Sequence, residues 1–406
     1  MDVTRIAMVV FAYYPSDVRV RRAAEALVSS SMAVDVISLR GSKERKNERV
    51  NGVNVYRINL ERKRASKLRY IWQWSYFITA AFLKLSWLHL FKRYHAVHVH
   101  NMPDILVFSA LLPKLTGARV ILDLHDPMPE AYMTKYAMSE LHPVIRVLKF
   151  LEKFCIKFAD LVITTNIAFR ELFISRGCPA RKIRIIMNSP QEAIFNISKI
   201  QENKDSTLKK NTFDIMYHGH IVEMHGLDLA VEAIDRVRQR IPNVRLHVYN
   251  NGNFLKEIQK QIDGLNFNGI VKFHGHVPVE KIAEAIASID VGIVPNRMTP
   301  FTNLNFPTRI FECLSLEKPV IVPRTRGIAD YFDEDSIYFF DADDANDLAD
   351  KIIKVYSKAS ERMKIVRRGV KVYQEYRWEL QQKKLVNLVT GLLEKPAYSL
   401  VNQDAS

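Results

Sequence analysis

Short apolar runs alternate along the chain with stretches of helical period. In the first half, Ile6–Phe11, Val34–Ser38, Val53–Ile58, Ala96–His100, Arg119–Leu124, Asp160–Thr165 and Ile183–Met187 read as strands. Such unbroken runs suit parallel strands buried on both faces. Between the first two, Asp17–Ser29 carries a helical stripe of Val20, Ala23, Ala24 and Leu27, with Asp17 placed to cap it. The alternation starts afresh with strands at Phe213–Tyr217, Arg245–Tyr249, Val271–His274, Val291–Val294, Val320–Val322 and Ser336–Phe340. Helical stretches at Leu227–Arg240, Leu255–Ile262 and Val279–Ser288 fall among them, and the tail is helical from Ala345. The pattern predicts an α/β fold of two doubly wound domains in series. The boundaries read as 1–190, a polar linker at 191–211 where periodicity is lost, and 212–374.

The stretch Asn305–Pro323 concentrates a short helix, a turn and a strand. Pro307 suits a first helical position, where a missing N–H costs nothing. Arg309 and Glu312 lie three apart and can aim at a common neighbour. Amides at a helix start favour an anion such as a diphosphate, and Arg309 adds a fixed cation. Glu312 suits a pair of ribose hydroxyls. An ordinary helix-to-strand connection with a solvated Arg–Glu pair fits these residues equally well.

Two strands of the first half end in histidine followed by a nearby carboxylate, at His100-Asn101-Met102-Pro103-Asp104 and His125-Asp126. In an open parallel sheet, ligands bind beyond the carboxyl ends of strands. His125 can therefore meet a substrate hydroxyl, or cap local backbone. Arg19, Arg21 and Arg22 at a helix start oppose the macrodipole and need anionic partners, either a ligand or the neighbouring Asp17 and Glu25.

At 406 residues with 48% hydrophobic and 25% charged residues, the chain can bury two cores and has no disordered composition. Its net charge of +15 draws it toward anions: phosphorylated ligands, acidic membranes or nucleic acid. Nucleic acid is not expected as the main partner, because finger spacing, RNP-type strands and a helix-turn-helix signature are missing. Cys155, Cys178 and Cys313 have neither metal-ligand nor disulfide spacing, which fits a reducing compartment. Met1–Arg5 runs straight into the first strand, so no secretory leader is expected.

Residues 62–94 combine basic flanks with Trp72, Trp74 and Tyr76 in a long apolar helix interrupted by Gln73, Lys84 and His89. Ionisable interruptions argue against a bilayer span, whereas rings and flanking cations suit an anionic membrane surface. The alternative is a helix covering the first sheet; one face can do each.

Several stretches in this order carry a resemblance that runs nearly end to end: Asp17–Arg22, His98-Val-His100, Asp123-Leu-His-Asp126, Asp160–Thr165, Gly219–Gly226 and Phe306-Pro-Thr-Arg-Ile-Phe-Glu312. The chain resembles retaining nucleotide-sugar glycosyltransferases of family 4, which have the GT-B fold of two Rossmann-like domains. The resemblance implies a nucleotide diphosphate-sugar bound mainly by the second domain, a glycan or lipid-linked acceptor on the first, and transfer in the cleft between them. It also implies that a last helix, about 375–395, packs back on the first domain. It further implies that Glu312 meets the ribose, Arg309 the diphosphate, and His125 the donor sugar or reaction centre. Phe306, Thr308, Gly219, His220 and His225 fall in the matched donor-site stretches.

Leu304 stands where the family has the first glutamate of a pair, His220 and His225 stand in a loop that often carries arginine and lysine, and Tyr13-Tyr14-Pro15 replaces a glycine pair. With no metal motif, neither a cofactor nor a metal is expected. Leaving-group charge then falls to Arg309, with Arg324 or Arg326 in reserve, and to His220 or His225 if protonated. The implied setting is cell-surface polysaccharide, lipopolysaccharide or glycolipid synthesis, cytoplasmic or peripheral on the inner face of the cytoplasmic membrane. A GT-B nucleotide-sugar epimerase and a non-catalytic basic glycan- or nucleic-acid-binding module are the alternatives.

Overall fold

The computed structural model describes residues 3–62, 67–202, 211–267 and 269–394. Lys63 and Arg64 of the basic flank, and 203–210 of the expected linker, lie outside the described residues. The chain divides into two compact units, 1–187 with 381–406, and 188–380.

The first unit is built on an eight-stranded sheet in the order β3-β4-β2-β1-β5-β6-β7-β8. Its strands are β1 (Arg5–Tyr13), β2 (Ala33–Leu39), β3 (Asn47–Val50), β4 (Val53–Ile58), β5 (Ala96–His100), β6 (Arg119–Leu124), β7 (Leu161–Thr164) and β8 (Ile183–Ile185). Every pairing is parallel except β3 with β4. The central β1 sets Ile6 opposite Val34 on one side and Ala96 on the other. Helix α1 (Val18–Ser29) starts at Asp17, whose carboxylate accepts from the amides of Arg19 and Val20.

Helix α2 (Lys67–Lys92) crosses from β4 to β5, and a 3-10 helix (Asp104–Ala110) with α3 (Leu111–Leu115) joins β5 to β6. Helices α4 (Met128–Tyr136) and α5 (Pro143–Phe158) join β6 to β7, and α6 (Ile167–Ser175) leads to β8. These connections step along the sheet in the same direction, so right-handed crossovers put them on one face. Residues of α1 and the C-terminal Leu385, Val389 and Leu392 share the core on the other face.

The second unit holds a six-stranded parallel sheet ordered β11-β10-β9-β12-β13-β14. The strands are β9 (Phe213–His218), β10 (Val244–Tyr249), β11 (Val271–Gly275), β12 (Val291–Ile293), β13 (Val320–Pro323) and β14 (Tyr338–Phe340). Its helices are α7 (Ile197–Glu202), α8 (Leu227–Val237), α9 (Leu255–Gly264), α10 (Val279–Ser288), α11 (Arg309–Ser315), α12 (Arg326–Ala329), α13 (Ala345–Ser357) and α14 (Ala359–Tyr376). The last helix, α15 (Trp378–Glu394), belongs to the first unit from Gln381 onward. Residues 191–202, read from sequence as linker, fall in the second unit and include α7. Their polarity hid a helix of only six residues, too short for a periodicity signal.

Candidate functional site

The parallel strand order reverses direction between β1 and β5 in the first unit and between β9 and β12 in the second. Such reversals open a crevice beyond the strand ends, where the flanking loops diverge.

In the first unit, His100 at the end of β5 and Asp123 on β6 are register partners. The Asp123 carboxylate receives His98 Nε2 and His100 Nδ1, each at 3.2 Å, and lies 3.7 Å from His125 Nε2. His100 Nδ1 meets His125 Nε2 at 3.0 Å, and the two rings stack nearly parallel at 8°. The His125 amide donates to Asn101 Oδ1 at 2.9 Å, and Asn101 also donates to Asp104 and to the carbonyl of Asp126. His125 is thus fixed by its ring and its backbone, while its Nδ1 has no protein partner.

Burial, reinforced by Arg19 and His100 against the pull of Asp123, pushes the His125 imidazole down to about 3. Burial and His100 push His98 down to about 4. Both rings are neutral at pH 7, so His125 offers a hydrogen bond rather than a charge. Arg19 pairs with Asp17 at 3.0 Å and reaches Asp126 at 3.9 Å, so it turns to the capping carboxylate.

His98, His100 and Asp123 offer ligand atoms within 4.8 Å of one another, a spacing open to a transition metal. Both imidazoles aim at the same Asp123 oxygen, while His98 Nδ1 and His100 Nε2 have no protein partner.

In the second unit, Arg309 and Glu312 share a neighbour, as their spacing predicts, and it is His218 at the end of β9. Arg309 Nη1 donates to the His218 carbonyl at 2.9 Å, and His218 Nε2 meets Glu312 Oε2 at 2.7 Å. Arg309 Nη2 donates to Asn296 Oδ1 at 3.0 Å, and the guanidinium lies 5.4 Å from the Tyr217 ring centre. These contacts tie the loops after β9 and β12 to the start of α11. Arg309 and Glu312 do not form the solvated pair of the ordinary reading; each is held by strand-end residues.

Helix α11 begins at Arg309 with Thr308 as its N-cap residue, two positions later than the expected start at Pro307. Thr308 already has helical dihedrals but makes no side-chain cap bond. Phe306 is buried in an aromatic cluster with Phe311, Tyr331 and Phe332, so its ring packs the base of this loop.

Gly219 follows with φ +140°, and a Cβ there would stand 2.8 Å from Arg309 Nη1. Gly226 has φ +64°, and a Cβ there would stand 1.9 Å from the Pro295 carbonyl. Both glycines let the loop after β9 pass close to Arg309 and to the loop after β12. Within that loop, His225 Nδ1 donates to the His220 carbonyl at 2.7 Å, and Tyr217 Oη donates to the same oxygen at 3.1 Å. Of the reserve cations, Arg324 is turned to Glu334 and over the Phe339 ring.

The chain matches the Glycosyl transferase 4-like domain over residues 16–189 and Glycosyl transferases group 1 over residues 198–372. It belongs to the family 4-type glycosyltransferases. This family member is 22% identical over 294 residues to the sulfoquinovosyl transferase SQD2 of Arabidopsis thaliana, a match covering 71% of this chain and 55% of that one. The chain spans about half the length of the curated relatives it matches. Sucrose-phosphate synthase of Thermosynechococcus elongatus superposes with a TM-score of 0.77 at 17% identity, covering 96% of this chain and 99% of that one. Anabaena HepE in complex with UDP and glucose gives a TM-score of 0.70 at 14% identity, with 95% and 99% covered. At such identities these structures show the GT-B fold.

Sequence reasoning missed two residues of the glycosyltransferase's second-unit cluster. His218 closes β9, one residue beyond the strand expected at Phe213–Tyr217, although a polar side chain just before a glycine at a strand end was a usable signal. Asn296 follows a proline after a very short strand and gave no pattern. Of the loop histidines, burial and then Arg309 push the His225 imidazole down to about 4, which weighs against its supplying positive charge near neutrality by itself. His225→Gln is therefore expected to leave the shape of the donor-affinity profile unchanged between about pH 6 and 8. A slope present in the native protein and lost in the variant would contradict this; calorimetric titration at each pH reads it directly.

Proposed function

We propose that the protein transfers a hexosyl group, with retention, from a nucleotide diphosphate-sugar to a glycan or lipid-linked acceptor. The observation that carries this is the convergence of Arg309 and Glu312 on His218 at the β9–β12 reversal, within a chain of this family. Arg309 is a cation already oriented by two hydrogen bonds, so it meets the leaving diphosphate with little reorganisation. Glu312 accepts from the ribose hydroxyls. Its carboxylate is held by His218, which fixes its direction. His125, neutral and with Nδ1 unpartnered, hydrogen-bonds a hydroxyl of the transferred sugar. Gly219, His220, Thr308 and Phe306 shape the donor loop around these groups.

Charge on the departing nucleotide is met by Arg309, and no metal or cofactor takes part in this proposal. The acceptor lies at a membrane: α2 has one buried face, with Gln73, Phe77, Ala81 and Leu85, and an opposite face on which Trp72 and Tyr76 are exposed. Among the described residues no helix is long and apolar enough to cross a membrane. In this proposal the protein works on the cytoplasmic side of the membrane, in polysaccharide, lipopolysaccharide or glycolipid synthesis, with the exposed face of α2 on the lipid surface.

The test is product analysis by NMR and mass spectrometry after incubating the protein with UDP-sugars, with and without membrane-lipid extract. Sugar transferred to an extract component, with the anomeric configuration of the donor kept, is the expected result. Conversion of the donor sugar to an epimer without acceptor would mark an epimerase and overturn the transferase reading.

A further inference from the structure

Helix α5 carries an apolar face that the first unit leaves uncovered. Val147, Phe150 and Phe154 recur at helical spacing and are 56%, 60% and 49% exposed. The opposite face is committed: Ile145, Cys155 and Ile156 are buried, and Glu152 is buried against Arg176 at 3.2 Å. A soluble surface rarely exposes two phenylalanines side by side, here with ring centres 4.6 Å apart.

This face has a counterpart. On α2, Trp72, Tyr76, Leu83, Trp87, Leu90 and Phe91 are exposed along the whole helix. Both α2 and α5 pack against the 3-10 helix at 104–110, in the same layer over the sheet. Leu115 of the intervening α3, 76% exposed, stands in that layer as well. The exposed apolar positions therefore belong to neighbouring elements on one side of the unit.

The charges on these helices select the occupant. Residues 67–93 contain no aspartate or glutamate. Within α5, Arg146, Lys149, Lys153 and Lys157 flank the phenylalanines, and the one carboxylate, Glu152, is buried. Lys149 also meets Glu140 of the preceding turn at 2.5 Å. Two copies of this chain meeting through the same face would set cations against cations. An anionic phospholipid surface instead takes the rings into its interface and the cations into its headgroup layer.

We infer that α5 is a second lipid-contacting helix, forming with α2 one docking surface for an anionic bilayer. The inference rests on the membrane reading of residues 62–94 and extends it to residues that reading did not include. Phe150 and Phe154 enter the interface while Lys153 and Lys157 face lipid phosphates. Two parallel attachments fix the rotation of the unit on the membrane, which a single helix does not.

The experiment is co-sedimentation of the full chain with vesicles of phosphatidylcholine containing about one-third phosphatidylglycerol, and with phosphatidylcholine alone. Three double variants are compared: Phe150→Ser with Phe154→Ser, Trp87→Ser with Phe91→Ser, and Lys153→Glu with Lys157→Glu. Because these side chains are exposed, an unchanged unfolding temperature certifies each variant. Either apolar pair is expected to lower partitioning about tenfold or more, and the charge reversal to do so on anionic vesicles only. If only the α2 pair matters, the two-helix surface is wrong and the reading of 62–94 stands. If the native chain binds neither vesicle, both fall. A dimer in solution that the α5 pair disperses would place a second copy on this face and overturn the inference.

Discussion

Arg309→Ala is expected to lower kcat/KM for sugar transfer by roughly 10²–10³-fold, the cost of removing one preorganised group from developing negative charge. The expectation follows from how Arg309 is held. Its two donated bonds go to the His218 carbonyl and Asn296, uncharged partners that orient the guanidinium without neutralising it. Arg309→Lys should recover little, since a compact ammonium does not reproduce the planar fork that reaches both partners and still points a donor at the diphosphate. Steady-state kinetics on both variants checks this. A loss confined to KM would mean that Arg309 binds ground and transition states alike.

Glu312→Ala is expected to weaken donor binding roughly 10- to 150-fold, since a hydrogen bond to a charged group contributes about 1.5–3 kcal/mol. The substitution also removes the partner of His218 Nε2, whose Nδ1 already lacks one. His218→Asn should therefore reproduce part of the loss, by freeing the Glu312 carboxylate from its orientation. A nucleoside lacking both ribose hydroxyls should bind the native protein and Glu312→Ala with nearly equal affinity.

The sheets were legible because their inner strands are parallel and buried on both faces, so Ile6–Phe11 and Val320–Val322 stand out as apolar runs. The polar edge strand β3, half-buried only at alternate positions, has no apolar run to mark it. The 3-10 helix at 104–110 lay hidden in an apolar stretch after a proline. Within the site, Arg309 and Glu312 were legible from a local spacing of three residues. Their common partner His218 was not, because it lies 91 residues from Arg309 and is reached only through the pairing of β9 with β12. The neutrality of His225 and His125 was also invisible in sequence, since burial sets it. A histidine at a strand end gives no sign of how deeply the loops around it will close.

Donor binding at Glu312 tests the central claim most directly. Ligand-observed NMR of the purified protein with UDP-, GDP-, ADP- and dTDP-sugars, repeated on Glu312→Ala with its fold verified, should show selective binding of one nucleotide class that the variant loses. Equal binding by both proteins, or no binding by the native one, would contradict the assignment of this cluster as the nucleotide-sugar site.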